Sequence, residues 1–211
     1  MDPMNIAADN SLQDLNQIPV EAGRQLVACV RAHRVAFLKH AESALDQASA
    51  LAAKARTLLK ELDPHLRRLR LQASPVSRCL VEATGSLHEI GNALARMNGE
   101  LRTKVRTHTL FSDLARKEME ELFRLTEGQL RDMVDMLETG NPTLRSHVLN
   151  WCNNLSILMS QFTSQHEERL IQGICSEPAA AIFVGLTDGL RDVCYHIKSI
   201  VSACPVASSE L

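Results

Sequence analysis

Five polar side chains on two predicted helices have types and spacings that could bind a metal ion. His88 and Asn92 are four residues apart, as are Asp192 and His196, and Glu89 lies beside the first pair. Residues at i and i+4 share one face of an α-helix, so each pair could offer a nitrogen and an oxygen to one cation. Protein metal sites generally use three or more ligands, and two ligands on one helix do not make a site. We therefore expect no bound metal, and these five residues are the weak candidates.

Catalytic motifs are missing from the sequence. It has no Gly-rich phosphate loop, no Gly-x-Ser-x-Gly turn and no paired histidines with metalloprotease spacing, so we predict that the protein is not an enzyme. The cysteines lack any Cys-x-x-Cys pairing, and we interpret them as reduced thiols that pack as small core residues. They are Cys29, Cys79, Cys152, Cys175, Cys194 and Cys204.

The composition indicates an all-α protein and excludes several functions. Of 211 residues, 45% are hydrophobic but only 3% are aromatic, and Leu and Ala dominate where a sheet would favour aromatic and β-branched residues. A formal charge of -2 gives no overall field for binding nucleic acid. The sequence has neither a run of 18 apolar residues nor a secretory signal. We expect a cytoplasmic protein, placed either in solution or at the inner face of the membrane.

Apolar residues repeat with the spacing of long, packed helices. The clearest seam runs with alternating steps of three and four residues from a cap at Ser74 through Val105, and three more helices are expected from Ser112, Pro142 and Pro178. Long helices joined by short turns predict an antiparallel bundle. The seam residues of the first of these helices are Val76, Leu80, Ala83, Leu87, Ile90, Leu94, Met97 and Leu101.

A shift of 103 residues superimposes the last helix on the first clear one. It aligns Pro178 with Pro75 and Leu190 with Leu87, which predicts a duplication of a three-helix unit. The same shift also gives Glu89 and Asp192 equivalent places. We expect a loosely ordered segment over 1–18, a first repeat over 19–107, a second over 108–204 and a tail over 205–211. The first half has no marked breaker opposite Gly140, so it should hold either a bend between Lys39 and Leu45 or one continuous helix.

Several short runs, taken in order, resemble the PhoU family. That family consists of helical bundles of two three-helix repeats, and its helices carry a Leu-Glu-Arg-Ile-Gly-Asp core. The second half is most similar to the PhoU-like cytoplasmic domain of sodium/phosphate cotransporters, and its His-x-x-Arg-Leu-x-x-Gly pattern is the most specific part. The runs are Leu87-His88-Glu89-Ile90-Gly91-Asn92, Phe111-Ser112, His166-Glu167-Glu168-Arg169-Leu170-Ile171-Gln172-Gly173 and Gly189-Leu190-Arg191-Asp192.

The resemblance implies a noncatalytic role in phosphate transport or its control. Such a protein is either the cytoplasmic part of a sodium/phosphate cotransporter or a free regulator of phosphate uptake. Family members often hold metal clusters with carboxylates at i and i+4 of a helix. Here the matching positions are His88 with Asn92 and Arg191 with Tyr195, so no cofactor is expected.

The expected partners follow from the same resemblance and from local charge. They are a membrane transporter or signalling protein, peripheral contact with the membrane surface, and a second copy in a homodimer, but no nucleic acid. Two basic clusters could meet an anionic membrane surface, phosphate or an acidic face of a partner. The alternative function is a helical adaptor or interaction module unrelated to phosphate. The clusters are Lys54, Arg56, Lys60, Arg67, Arg68 and Arg70, and Arg96, Arg102, Lys104, Arg106, Arg116 and Lys117.

Overall fold

The computed structural model describes the backbone over 3–72 and 74–205, with side chains from residue 15 onward. Seven helices and the turns between them account for this part of the chain, which contains no strand, so the predicted all-α fold is confirmed. The helices are α1 Pro3–Lys39, α2 Glu42–Lys60, α3 Asp63–Gln72, α4 Pro75–Arg106, α5 Asp113–Thr139, α6 Pro142–Ile171 and α7 Glu177–Ala203.

Side-chain caps fix the starts of the last four helices close to where the sequence predicts them. Ser74, Ser112 and Ser176 each accept a hydrogen bond from the backbone N–H three residues on, and Asn141 caps α6 in the same way. Gly140 ends α5 with φ 64°, a left-handed conformation that glycine adopts without cost. These local signals are strong because each one satisfies backbone groups that a helix end leaves unpaired.

The predicted boundary at residue 19 is wrong for the backbone. Helix α1 begins at Pro3 and contains Pro19 in its interior, so 3–18 are helical where the sequence predicted loose order. Leu15 and Ile18 pack against a small cluster formed by Leu62, Leu69 and Leu80, and this burial favours helix in the part of the segment nearest Pro19. Residues 1–2 and, apart from Pro205, the predicted tail 205–211 lie outside the described residues.

The first half holds four helical segments rather than the predicted three. The expected bend lies between Lys39 and Glu42, where His40 has φ 51°. A second break separates α2 from α3 at Glu61 and Leu62. Pro64 lies in the first turn of α3 and has no N–H to continue the hydrogen bonding of α2, which explains the interruption.

Four central helices make up the middle of the bundle. Each of α1 and α7 packs against both α4 and α5, while α2 lies against α1 and α4 and α6 lies against α5 and α7. The 103-residue shift places α5 on α1, α6 on α2 with α3, and α7 on α4. In each half the three equivalent helices all pack against one another. The duplication itself stays a prediction.

The core lies along the predicted seams. Of the eight seam residues of α4, seven are buried and only Val76, at the helix start, is exposed. Helices α4 and α7 are antiparallel, because Glu82, early in α4, contacts Ser199, late in α7, whereas the later Arg96 contacts the earlier Asp192. Three phenylalanines are among the largest fully buried side chains, namely Phe37, Phe123 and Phe183.

The interpretation of all six cysteines as reduced thiols is wrong for two of them. Cys79, near the start of α4, and Cys204, at the end of α7, form a disulfide with a Cα–Cα distance of 4.4 Å. The antiparallel packing of α4 on α7 brings these residues together across a sequence separation of 125. Cys29, Cys152, Cys175 and Cys194 are free.

Close packing of α4 on α7 depends on Gly189. A Cβ at this position would overlap the Met97 side chain. We expect Gly189→Val to lower the free energy of unfolding by about 1–3 kcal/mol through overpacking, measured by urea denaturation. Gly85→Ala is the matched control, because a Cβ there meets nothing within 4 Å and should stabilise the helix slightly. Equal stability of the Gly189→Val variant and the wild type would contradict this packing.

Candidate functional site

The five weak metal candidates do not converge on one site. Glu89 and Asn92 are exposed and contact each other, with Asn92 Nδ2 donating to Glu89 Oε2 at 3.3 Å. His88 and His196 are half-buried, and the His196 ring lies edge-on to Tyr195 at 5.1 Å. No group of three or more His, Cys, Asp or Glu side chains with metal-binding geometry occurs in the described part of the chain.

Asp192 is the only carboxylate that α7 offers among these candidates, and it is already paired. Arg96 Nη2 on α4 donates to Asp192 Oδ2 at 2.6 Å across the helix interface. Arg191, at a position where the resemblance would place an acid, pairs instead with Asp188 one turn earlier. Two guanidinium groups therefore stand where a cation would have to bind, which opposes metal binding electrostatically.

The most specific run of the sequence forms a buried ion pair. Arg169, at the end of α6, donates through Nη1 and Nη2 to the two carboxylate oxygens of Glu118 on α5, at 2.9 and 2.5 Å. Both residues are buried. Burial alone would lower the pKa of Arg169, but the hydrogen bonds and charge of the Glu118 carboxylate outweigh it, so the pKa of Arg169 is raised. Such two-pronged pairs are strong and directional. The pair fixes the start of α5 to the end of α6.

The other members of this run complete the same structural unit. The His166 ring is buried and stacks on Phe183 of α7 at 4.1 Å between centroids. Burial, and then the nearby Arg169 charge, lower the pKa of His166 to about 4, so its ring is neutral at pH 7. Gly173 has φ 70°, and the Arg169 carbonyl accepts from the backbone of Ile174 and Cys175. The run thus terminates α6 and joins it to α5 and α7.

The first half has an apolar cluster at the corresponding place. The 103-residue shift puts Leu15 at the position of Glu118, Leu66 at that of Arg169 and Leu80 at that of Phe183. These leucines belong to the small cluster around Leu62 and Leu69. Leucine packing in the first half and an ion pair in the second therefore hold together equivalent helix ends. This equivalence indicates an architectural role for Glu118 and Arg169.

His33 on α1 is a buried polar residue that the sequence reasoning did not select. Its ring is fully buried, and neither ring nitrogen has a partner of hydrogen-bond geometry among the described residues. Burial lowers the pKa of His33 to about 4, against a smaller opposing effect of the neighbouring Asn98 side chain. Its position among apolar residues of α1, three after Val30 and four before Phe37, was the available signal.

Protonation of His33 should make stability depend on pH. Because the folded-state pKa is about 4 and the ordinary value is 6.5, the unfolded chain binds a proton below pH 6.5 that the folded chain does not. The contribution of His33 to the free energy of unfolding is therefore fully present above pH 6.5 and is lost as the pH falls. The expected loss between pH 6.5 and 5 is about 2 kcal/mol. We expect His33→Gln to remove this part of the slope in urea denaturation, whereas His65→Gln, an exposed control, should keep it. Parallel slopes for wild type and His33→Gln would exclude the buried ring as the source.

The buried Lys104, near the end of α4, lies beside the bend between α1 and α2. Its Nζ contacts His40 Nε2 at 2.7 Å and lies 4.9 Å from the centroid of the Phe37 ring and 5.7 Å from that of Phe111. Burial lowers the pKa of Lys104 to about 8. The amine joins the α1–α2 bend to the loop before α5, and its surroundings are those of a packed structural contact.

The two basic clusters differ in the structure. In the second cluster, Arg96, Arg102 and Arg116 form ion pairs with carboxylates and Lys104 is buried. In the first cluster, on α2 and α3, every member is exposed and none forms an ion pair within the described residues. In the second cluster, Arg106 and Lys117 are the members that are exposed and unpaired within the described residues, so the larger set of cations free to bind an anionic group lies on α2 and α3.

Comparison with known proteins supports the fold. The chain is similar in structure to the phosphate transport system regulatory protein PhoU from Streptococcus pneumoniae, with a TM-score of 0.79 over 92% of this chain and 93% of that one. The sequence identity is 10%, so the likeness shows the fold alone. No sequence family matches, and no curated protein does. None of the helices in the described ranges is both long and apolar enough to cross a bilayer. The chain has the all-α helical bundle fold of PhoU.

Proposed function

We propose that this protein is a noncatalytic regulatory or accessory component of phosphate transport. The observation that carries the proposal is the likeness to a phosphate transport regulator over nearly the whole length of both chains. Matching runs in both halves, including His166 to Gly173, support the same conclusion from the sequence. The cytoplasmic domain of a sodium/phosphate cotransporter and a free regulator of uptake are the two forms that this function takes.

The polar chemistry of the bundle supports a role without catalysis. Three of the four buried charged side chains in the described residues form ion pairs. Glu118 pairs with Arg169 between α5 and α6, and Glu127 pairs with Arg31 and Arg34 of α1 and with Arg131 of its own helix. The fourth, Lys104, contacts His40. Groups that already neutralise each other are poorly placed to activate a substrate. We also propose that the protein works without a bound metal, since Asp192 is already paired with Arg96 and its neighbour in sequence, Arg191, adds a further positive charge.

The exposed basic cluster on α2 and α3 is the proposed contact region. It consists of six cations, from Lys54 to Arg70, and the only acidic residues within that stretch are Glu61 and Asp63. Such a cluster favours an acidic surface of a transporter or signalling protein and the anionic headgroups beside it. A homodimer remains compatible with this arrangement, because α6 presents a separate exposed face in the other half.

The redox state of the Cys79–Cys204 disulfide in the cell tests the compartment in which the protein acts. We propose action at the cytoplasmic side of the membrane, yet disulfides persist mainly in oxidising compartments. Intact cells are treated with a thiol reagent of high mass, either directly or after a reductant has been added. The increase in the mass of the protein gives the number of reactive thiols in each sample, and the difference between the samples reports on Cys79 and Cys204. Two extra reactive thiols that appear only after reduction would show that the bond is present in the cell and would contradict a reducing location.

A helical adaptor unrelated to phosphate is the second candidate function. It is favoured by the low identity of 10%, because packed amphipathic helices can serve many partners. The two candidates differ in the partner that α3 should contact. A transport regulator meets a phosphate transporter or its signalling protein, whereas an adaptor meets proteins outside phosphate transport.

Photo-crosslinking in the native host tests the proposed function. A photoreactive amino acid replaces Arg67 or Arg70 on α3, and Ser160 on the exposed face of α6 serves as the matched control. We expect crosslinks from α3, but not from α6, to a membrane protein of phosphate transport, identified by mass spectrometry. Crosslinks from α3 exclusively to proteins outside phosphate transport would contradict the proposal and support the adaptor.

A further inference from the structure

The outer face of α6 is uncharged over most of its length. From Ser146 through His166 the helix has no Lys, Arg, Asp or Glu, although 23% of the whole chain is charged. Its inner residues pack against α5 and α7, so the opposite face meets solvent. We call this surface the uncharged face of α6. Its exposed residues are Ser146, Asn150, Asn153, Asn154, Ile157, Ser160, Gln161 and Ser164.

The corresponding stretch of the first half is charged. The 103-residue shift puts Lys54 at the position of Ile157 and Glu61 at that of Ser164. Both Lys54 and Glu61 are exposed, as helix surfaces in solution usually are when they carry charge. The loss of charge is therefore a property of α6 and not of every outer helix in this bundle.

The residues of the uncharged face have the composition of a protein interface. They recur along α6 in steps of three and four residues, which places them on one side of the helix. Most are Asn, Gln or Ser, whose side chains both donate and accept hydrogen bonds. Ile157, in the middle, is 59% exposed. An apolar centre with polar residues around it, and with charged residues depleted, is typical of a surface that another protein covers.

The lack of charge restricts what this face can bind. Without a cation it does not attract the phosphate groups of lipids or nucleic acids. A strongly charged protein surface would lose the hydration of its charges here and would gain no opposite charge in return. The partner therefore has to present an uncharged polar surface of its own, and a second copy of α6 does so.

We infer that two copies of this protein associate through the uncharged faces of α6, which lie antiparallel across a two-fold axis at Ile157. A closed dimer uses the same patch on both copies, so each residue meets its symmetry-related position. Ile157 is midway between Ser146 and Glu168, so in this register it packs against Ile157 of the second copy. Asn150 then lies opposite Ser164 of the second copy, and a side-chain amide meets a hydroxyl.

The charges at the two ends of α6 favour the antiparallel arrangement. Glu168 is exposed near the end of the helix, whereas Arg145 lies at its start, where the first turn also carries the positive end of the helix dipole. Antiparallel helices bring each Glu168 beside the start of the other α6. Parallel helices would bring the two Glu168 carboxylates together, which is unfavourable.

The oligomeric state of the purified full chain tests this inference. Sedimentation velocity over a range of protein concentrations should show a reversible species of twice the mass of one chain. Ile157→Lys brings two like charges together at the axis and should raise the dissociation constant by at least about tenfold. Ile174→Lys is the matched control, because Ile174 is also 59% exposed but lies beyond the end of α6. It should leave the dissociation constant unchanged.

Disulfide crosslinking tests the register. Under mild oxidation Ile157→Cys should link two copies, since the two thiols meet at the axis. Ser164→Cys should not, because the two introduced thiols would be about 20 Å apart along the helix axis. Adding Asn150→Cys to Ser164→Cys in one chain should restore linking, since the register pairs these positions. The wild type, with its half-buried Cys175, gives the background.

Three results would overturn the inference. They are a wild type that stays monomeric at every concentration, equal dissociation constants for Ile157→Lys and Ile174→Lys, and linking of Ser164→Cys as efficient as that of Ile157→Cys. Because Ile157 is exposed, its lysine variant should keep the circular dichroism spectrum of the wild type. A failure here leaves the proposed function standing, because photo-crosslinking from α3 tests that function without any dimer.

Discussion

Replacing Glu118 by Leu is expected to lower the free energy of unfolding by about 3–5 kcal/mol, because it leaves the Arg169 guanidinium buried without its partner. The guanidinium now donates to both carboxylate oxygens, at 2.9 and 2.5 Å, and Arg169 is 8% exposed. Urea denaturation followed by circular dichroism measures the loss. Arg169→Leu should cost a similar amount, since it leaves the carboxylate unpaired.

The double variant Glu118→Leu/Arg169→Leu is the decisive control for this ion pair. It carries the two leucines that the 103-residue shift finds in the first half, at Leu15 and Leu66. Replacing both members of a buried ion pair by apolar residues is often neutral or stabilising. We expect stability within about 1 kcal/mol of the wild type or above it. If the double variant instead loses the sum of the two single losses of unfolding free energy, the ion pair is not the source of those losses.

Reduction of the Cys79–Cys204 disulfide is the second change with a large expected effect. The bond links residues separated by 125 positions, and closing a loop of this size restricts the unfolded chain strongly. The chain-entropy account gives about 4–5 kcal/mol, with measured values for disulfides of about 2–4. For a protein of this length, reduction should lower the melting temperature by about 10 °C, measured by calorimetry with and without reductant.

The cysteine variants separate this bond from general effects of the reductant. Cys79→Ala/Cys204→Ala should melt near the reduced wild type and should no longer respond to reductant. Cys175→Ala removes a free thiol and serves as the matched control, so it should retain the full response. An unchanged melting temperature of the wild type on reduction would mean that the bond contributes nothing to stability.

Helix starts and the core could be predicted from the sequence because their signals are local. Ser74, Ser112 and Gly140 act through hydrogen bonds or backbone conformation within a few residues, and each does so in the structure. The buried seam of α4 also follows from spacing alone. The start of α1 was missed because 3–18 show little apolar periodicity, although Leu15 and Ile18 pack on distant leucines.

The polar interior could not be predicted in the same way, because its partners are far apart in sequence. Glu118 and Arg169 are 51 residues apart, and nothing near either residue identifies the other. The disulfide is a stronger case, since Cys79 and Cys204 meet only when α7 packs on α4. His33 did have a local signal, a polar residue at the apolar spacing of α1, but its burial depends on the packing of α2 and α4 against α1.

Phosphate uptake by cells tests most directly the central claim that this bundle regulates phosphate transport. The gene is deleted in its host, and the initial rate of labelled phosphate uptake is measured at high and at low external phosphate. We predict that deletion changes this rate and its response to external phosphate, and that the wild-type chain restores both. Uptake that is identical with and without the protein at both concentrations would contradict the account.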